Sequence, residues 1–338
     1  MWPKSRPHFA WWALAALLIA VPALSAHGAP APTPPPPPPT PAAAPAATPA
    51  PAPPPSPVSG IRGKLSAGDF LSAESVLEVF KEHNGENGAY LAGLSWLARG
   101  ALLLGDTAQA GRLASDVRRR CADQVTHGAD PAKDHDLETA LGAALEVQTQ
   151  LLERAQGPGP AAEFLRGELA GVKGPVALRA RLNKRINLLT LAGSPAPELA
   201  IEDFLGPRPP ALADLKGKPV VLFLWAEWCS DCKAQAAGLA RVKARHTADG
   251  LQVVAVTRYY DEEAQRAAEK ARVDSVWKAV YADVGAIPVV ISTASMERYG
   301  GSSTPTFVFV DRAGIVRWYT PTRLTDEEFE RALGLILH

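Results

Sequence analysis

The apolar run Val220-Val221-Leu222-Phe223-Leu224-Trp225 ends just before two cysteines, in the pentapeptide Trp228-Cys229-Ser230-Asp231-Cys232. A short apolar run of this kind reads as a buried strand. A helix-like segment follows and ends near Gly250, with Cys232, Ala236, Leu239 and Val242 on one face. The pair therefore sits at a strand-to-helix turn. Two thiols three residues apart there can close a disulfide and reopen it at little cost, which is the geometry of redox chemistry.

The surrounding pattern extends this to a fold. Leu199–Phe204, Val220–Trp225, Leu251–Thr257 and Pro288–Ile291 read as strands, and Asp261–Arg272 reads as a charged surface helix. Thr306–Val310 and Ile315–Tyr319 read as a hairpin around Asp311-Arg-Ala-Gly314. Thr325-Asp-Glu-Glu328 is a capping box that opens a last helix. Strand–helix–strand followed by a hairpin and a final helix predicts an α/β sandwich with a mixed sheet.

Residues 60–192 read differently. The stretch is rich in Ala and Leu and lacks strand-like alternation. Gly68, Gly105 and Gly157 each precede, by five residues, an Ala in an amphipathic run: Ala73, Ala110 and Ala162. A Gly turn followed by a small residue at a helix crossing lets antiparallel helices pack closely. The segment resembles degenerate tetratricopeptide-like helical repeats, although the spacings of 37 and 52 residues are irregular. Such a domain either docks a partner protein or packs on its neighbour.

The first 59 residues have another character again. Lys4 and Arg6 precede an apolar stretch from Phe9 to about Ala26, and no Asp, Glu, Lys or Arg occurs between Arg6 and Arg62. That is the pattern of a secretory signal peptide or an uncleaved membrane anchor over residues 1–28. Residues 29–59 form a Pro/Ala-rich linker; Pro30–Pro57 holds sixteen of the chain's 32 prolines. Such a tract cannot bury a core and is expected as a disordered, extended spacer. It serves either as a stalk or as a plain leader. Lys plus Arg (35) equals Asp plus Glu (35), which argues against nucleic acid as a partner. With three cysteines in all, the chain does not rest on a disulfide framework.

Residues 193–338 resemble the TlpA-type branch of the thioredoxin superfamily, extracytoplasmic thiol–disulfide oxidoreductases. The resemblance is carried by Gly193-x-Pro195-Ala-Pro197 and Leu212-Ala-Asp-Leu-Lys-Gly-Lys-Pro219. It continues in Trp225-Ala-Glu-Trp-Cys229-x-x-Cys232-Lys233, Ser303-Thr-Pro305-Thr306 and Asp311-x-x-Gly314. It implies a thioredoxin-like fold, Cys229 as the attacking thiol, Cys232 as the resolving thiol, and a cis Thr304–Pro305 bond beside them. Trp228, Thr304 and Pro305 are then expected to receive the substrate backbone. The resemblance further implies protein thiol and disulfide substrates, an electron supply from a membrane thiol-reductant transporter, and no cofactor beyond the two cysteines.

Several residues depart from that family. Asp231 stands between the cysteines, and a carboxylate near a thiolate raises the thiol pKa and makes the couple more reducing. The expected potential is therefore closer to that of thioredoxin, about −270 mV, than to that of a strong oxidant, about −120 mV. Phe223 occupies the place where cytoplasmic thioredoxins carry a buried Asp that accepts a proton. This leaves Glu227 first and Asp231 second as proton-transfer candidates, each with the alternative of a solvated turn carboxylate. No proline follows the CxxC before Leu239, which leaves the usual helix kink open.

The other readings of the pair are a zinc site, a structural disulfide and a peroxidase. Zinc needs about four ligands, and the one other cysteine, Cys121, is over a hundred residues away in sequence. A peroxide-reducing relative carries Thr three residues before its cysteine, where this chain has Ala226. His127 and His135 among Asp130, Asp134 and Asp136 match no metal-ligand spacing, and no metal is expected. Arg258, Tyr259 and Tyr260 follow a strand on the cysteine side and are expected to border the groove. Two functions emerge: an extracytoplasmic reductant of protein disulfides, or a helical binding module with a redox-gated thioredoxin-like anchor.

Overall fold

The computed structural model describes residues 56–172 and 175–338. The expected signal or anchor and the Pro/Ala-rich linker lie outside the described residues, apart from the last four linker positions. Among the described residues no helix is long and apolar enough to cross a membrane.

Among the described residues seven helices come first: α1 (Val58–Ser66), α2 (Phe70–Asn84), α3 (Gly88–Leu103), α4 (Thr107–Thr126), α5 (His135–Gln156), α6 (Pro158–Gly171) and α7 (Val176–Thr190). Polar caps start four of them. Asp69, Asn87, Asp106 and Asp134 accept the backbone N–H three residues on, from Ser72, Tyr90, Gln109 and Leu137. Each such cap contributes about 1 kcal/mol. Gly68, Gly105 and Gly157 adopt φ of 75°, 86° and 87°. The Ala five residues after each is fully buried. The sequence pattern thus marks a recurring local unit: a left-handed Gly turn followed by a helix contact too tight for a larger side chain. The most enclosed helix is α3, with Leu91, Leu97, Ala98 and Ala101 in a core shared with Leu77, Val117, Leu137 and Ala144.

The second half builds a six-stranded mixed sheet in the order β1-β4-β3-β2-β5-β6. Its strands are β1 (Asp203–Leu205), β2 (Val220–Leu224), β3 (Gln252–Thr257), β4 (Val289–Ile291), β5 (Thr306–Val310) and β6 (Val316–Thr320). The β2–β3 and β3–β4 pairs run parallel. The β1–β4, β2–β5 and β5–β6 pairs run antiparallel. Period-two alternation divides the central strands between two cores. Val221, Phe223, Val253, Ala255 and Phe307 pack on one side with α9 (Ala236–Arg245), α10 (Arg266–Val280) and α12 (Asp326–Gly334). Leu222, Leu224, Val254, Val256 and Val308 face the other side, with Met296 of α11 (Thr293–Arg298) and Tyr319. Burying each of these aliphatic or aromatic side chains contributes roughly 1.5–3 kcal/mol. The capping box is present at Thr325 and Glu328.

Several element boundaries differ from the sequence reading. The first strand starts at Asp203, not Leu199, because Pro197 and Glu198 belong to a loop whose Pro197 carbonyl accepts from the Tyr299 hydroxyl. The charged helix begins at Arg266 and continues to Val280, burying Val273 and Trp277. Helix α11 was not foreseen; its six residues are too few for a periodic signal.

Helix α7 lies against α11, and this contact joins the helical layer to the sheet domain. Arg179 Nε bonds Glu297 Oε1 at 2.7 Å, and Asn187 Nδ2 donates to the Arg298 carbonyl at 3.0 Å. Lys184 Nζ donates to Ser303 Oγ at 3.0 Å. Gly300, at φ 70°, brings its Cα so close that a Cβ there would stand 2.4 Å from the Lys184 Cα. Only glycine fits this approach.

Candidate active site

Strand β2 ends at Leu224 and helix α8 (Ser230–Ala234) begins six residues later, with Cys229 as its N-cap. Cys229 and Cys232 form a disulfide with Cα atoms 5.3 Å apart. The Cys232 backbone N–H donates to Cys229 Sγ at 3.0 Å. That donor would favour a negative charge on Cys229 once the bond is reduced. Burial acts the other way: Cys229 keeps 5% of its surface and Cys232 none.

The Thr304–Pro305 peptide is cis, and the Thr304 carbonyl oxygen lies 3.4 Å from Cys229 Sγ. The disulfide sulfur has no proton to give, so this is a close approach that becomes a hydrogen bond in the thiol form. Trp228 is 62% exposed and stands edge-on to Tyr260, with ring centroids 5.5 Å apart. The structure thus gathers Cys229, Cys232, Trp228, Thr304 and Pro305 at one turn.

Phe223 is fully buried and stacks on Phe307 at 5.2 Å, with Tyr281 at 5.8 Å. An aromatic layer stands where a proton-accepting carboxylate could otherwise lie. Both candidate substitutes are engaged in ion pairs. Glu227 Oε1 accepts from Arg272 Nε at 3.3 Å, while its Oε2 is buried with no partner among the described residues. Asp231 meets Arg323 at 3.3 Å, with both side chains more than half exposed. The guanidinium offsets part of the charge that Asp231 would place near Cys229.

The helix after the cysteines breaks at Gln235, between α8 and α9, without proline. Gln235 is buried, donates from Nε2 to the Leu324 carbonyl at 3.0 Å and accepts the Leu324 N–H at 2.8 Å. The side chain thereby clamps the break to the loop before α12. No sequence signal singled out Gln235 or Arg323, because their roles come from partners about 90 residues away.

Arg258 and Tyr260 border the site as expected, with the Arg258 guanidinium 4.2 Å from the Tyr260 ring centre. Tyr259 turns away and donates to Asp203 Oδ2 at 2.6 Å. Cys121 is buried on α4, where burial pushes its thiol up to about 12. His127 bonds the Asp123 carbonyl, and His135 faces Glu138.

Residues 192–319 match the AhpC/TSA family. The chain is 27% identical over 146 residues to the thioredoxin-like protein YneN of Bacillus subtilis, covering 42% of this chain and 79% of that one. It is 41% identical over 64 residues to the thiol–disulfide oxidoreductase ResA of the same organism, covering 19% of this chain and 35% of that one. Among solved structures, a secreted disulfide oxidoreductase of Mycobacterium tuberculosis, homologous to DsbE of E. coli, is 24% identical. That match has a TM-score of 0.30 and covers 36% of this chain and 84% of that one. The matched segment is a thioredoxin-like redoxin domain. The Cys229–Cys232 pair, two thiols able to close and reopen a disulfide, lies within that segment.

Proposed function

We propose that this chain is an extracytoplasmic reductant of protein disulfides, with residues 60–192 as a helical domain and 193–338 as the redox domain. The observation that carries the reading is the turn itself. Cys229 caps α8, its sulfur accepts the Cys232 N–H, and the exposed Trp228 and the Thr304 carbonyl flank it. The Cys229 thiolate attacks one sulfur of a substrate disulfide, forming a mixed disulfide and expelling the other sulfur as a thiolate, which takes up a proton. Cys232 then gives up its proton and attacks Cys229 Sγ, releasing the second substrate thiol and leaving the Cys229–Cys232 disulfide. Trp228, Thr304 and Pro305 receive the substrate backbone. A membrane thiol-reductant transporter returns two electrons and two protons to the pair. Glu227 or Asp231 relays the proton to the extent that its ion pair opens.

The basic-then-apolar leader supports export, and the first 28 residues act as a signal peptide or an anchor. A reducing role is supported by the burial of both sulfurs, which disfavours the thiolate, and by Asp231 beside them. Equilibration of the pair with glutathione buffers tests the direction. A midpoint nearer about −270 mV supports a reductant, and one nearer about −120 mV rules it out.

A further inference from the structure

A cleft of about 810 Å³ runs between α5 and α7 on one side and the active-site loops on the other. Its walls include Trp228, Ser303 and Thr304 of the redox site, Arg258 and Tyr260 after β3, and Lys184 of α7. The helical layer therefore supplies a wall of the space a substrate enters beside Cys229.

The charges of this cleft are unbalanced. Glu146 is taken by Arg181, at 2.8 and 2.9 Å, and by Arg99. Glu297 is held by Arg179, and Glu138 faces His135 at 3.7 Å. Lys184 and Arg258 have no carboxylate within 4.0 Å among the described residues. Lys184 is tied to Ser303, the neighbour of the carbonyl that touches Cys229 Sγ. Arg258 lies over Tyr260, which abuts Trp228. Burial lowers the Lys184 pKa, and Arg181, Arg99 and Arg185 around it act in the same direction against Glu146.

We infer that Lys184 and Arg258 select substrates, and that the preferred substrate is a peptide segment with an acidic residue within about three positions of its disulfide-bonded cysteine. This rests on the reducing reaction proposed above. The segment lies across Trp228 and the Thr304 carbonyl, its cystine sulfur at Cys229. Its carboxylate enters the cleft between the two cations, where partial desolvation strengthens the attraction. Two electrons and two protons pass from the Cys229–Cys232 dithiol to the peptide disulfide, which leaves as two thiols. The helical layer thereby becomes part of the substrate site, not only a neighbour of it.

The test uses the reduced full chain and two matched peptides whose single cysteine is capped as a disulfide with 2-mercaptoethanol, one flanked by Glu and one by Lys. The neutral bis(2-hydroxyethyl) disulfide serves as reference. Wild type is expected to reduce the Glu peptide about tenfold faster in kcat/KM at low salt, with the ratio shrinking as ionic strength rises. In Lys184→Met with Arg258→Gln the ratio falls towards one, and Arg258→Gln alone, which leaves the α7 contact untouched, moves it part of the way. Equal wild-type rates, or a ratio the double variant does not change, would overturn the inference alone. Failure to reduce even the neutral disulfide would overturn the underlying reaction, and the inference with it.

Discussion

Replacing Gly300 with Ala should loosen the seam between the helical layer and the redox domain. Gly300 sits at φ 70°, where an L side chain costs about 1–2 kcal/mol. Its added Cβ would stand 2.4 Å from Lys184 Cα, 2.5 Å from Lys184 N and 2.8 Å from Lys184 Cβ. Carbon atoms settle at about 3.5–4.0 Å, so the contact demands a shift of more than about 1 Å. The obstructing atoms belong mainly to helix backbone, which cannot swing aside as a flexible side chain can. Overpacking of this kind costs roughly 1–3 kcal/mol, for a combined loss of about 2–5 kcal/mol. Moving α7 also pulls on the Arg179–Glu297, Asn187–Arg298 and Lys184–Ser303 contacts. At about 2–4 °C per kcal/mol for a domain of this size, thermal unfolding should begin roughly 4–20 °C lower. The matched control is Gly167→Ala, on an exposed face of α6 with open space around it. There the helix should gain up to 1 kcal/mol, roughly the Gly-to-Ala difference. If Gly300→Ala unfolds with the wild type, the tight α7–Gly300 approach is not part of the folded protein.

Two further outcomes follow from buried polar groups. Burial pushes the Glu146 carboxyl up, but Arg181 and Arg99 pull it down further, to about 2 against an ordinary 4.5. Its folded pKa lies below the unfolded one, so the stabilisation is complete above pH 4.5 and is lost as pH falls towards 2. The shift corresponds to roughly 3 kcal/mol, so acid unfolding curves should lose their steep limb in Glu146→Gln. Gln235→Ala leaves the Leu324 N–H and carbonyl buried without partners, costing about 1–3 kcal/mol. Denaturant titration should register that loss, and an unchanged midpoint would mean that Gln235 does not hold the α8–α9 break.

What the sequence disclosed depended on whether the information was local. The run Val220–Leu224, the hairpin around Asp311 and the Thr325 capping box are short-range patterns, and each stands in the structure close to its predicted place. The CxxC turn and Pro305 were legible because few residue types permit their chemistry. The Gly-to-Ala spacing in the helical layer was legible for the same reason, since Gly105 needs a positive φ and Ala110 has no room. Helix α11 was hidden by its length. The kink at Gln235 was hidden because a side-chain clamp to Leu324 does the work otherwise done by proline. Asp231 could be read as a bare charge only while Arg323 was unknown. The seam and the charged cleft bring Lys184 to Ser303 across 119 positions, a separation no local pattern spans.

The central claim is that Cys229 attacks and Cys232 resolves. Reduced Cys232→Ala and Cys229→Ala proteins, each offered the same capped-cysteine peptide, can be examined by intact mass after acid quenching. A stable one-to-one mixed disulfide on Cys229 in the Cys232→Ala protein, with little adduct in Cys229→Ala, is the predicted result. Adduct confined to Cys232, or none in either protein, would contradict the account.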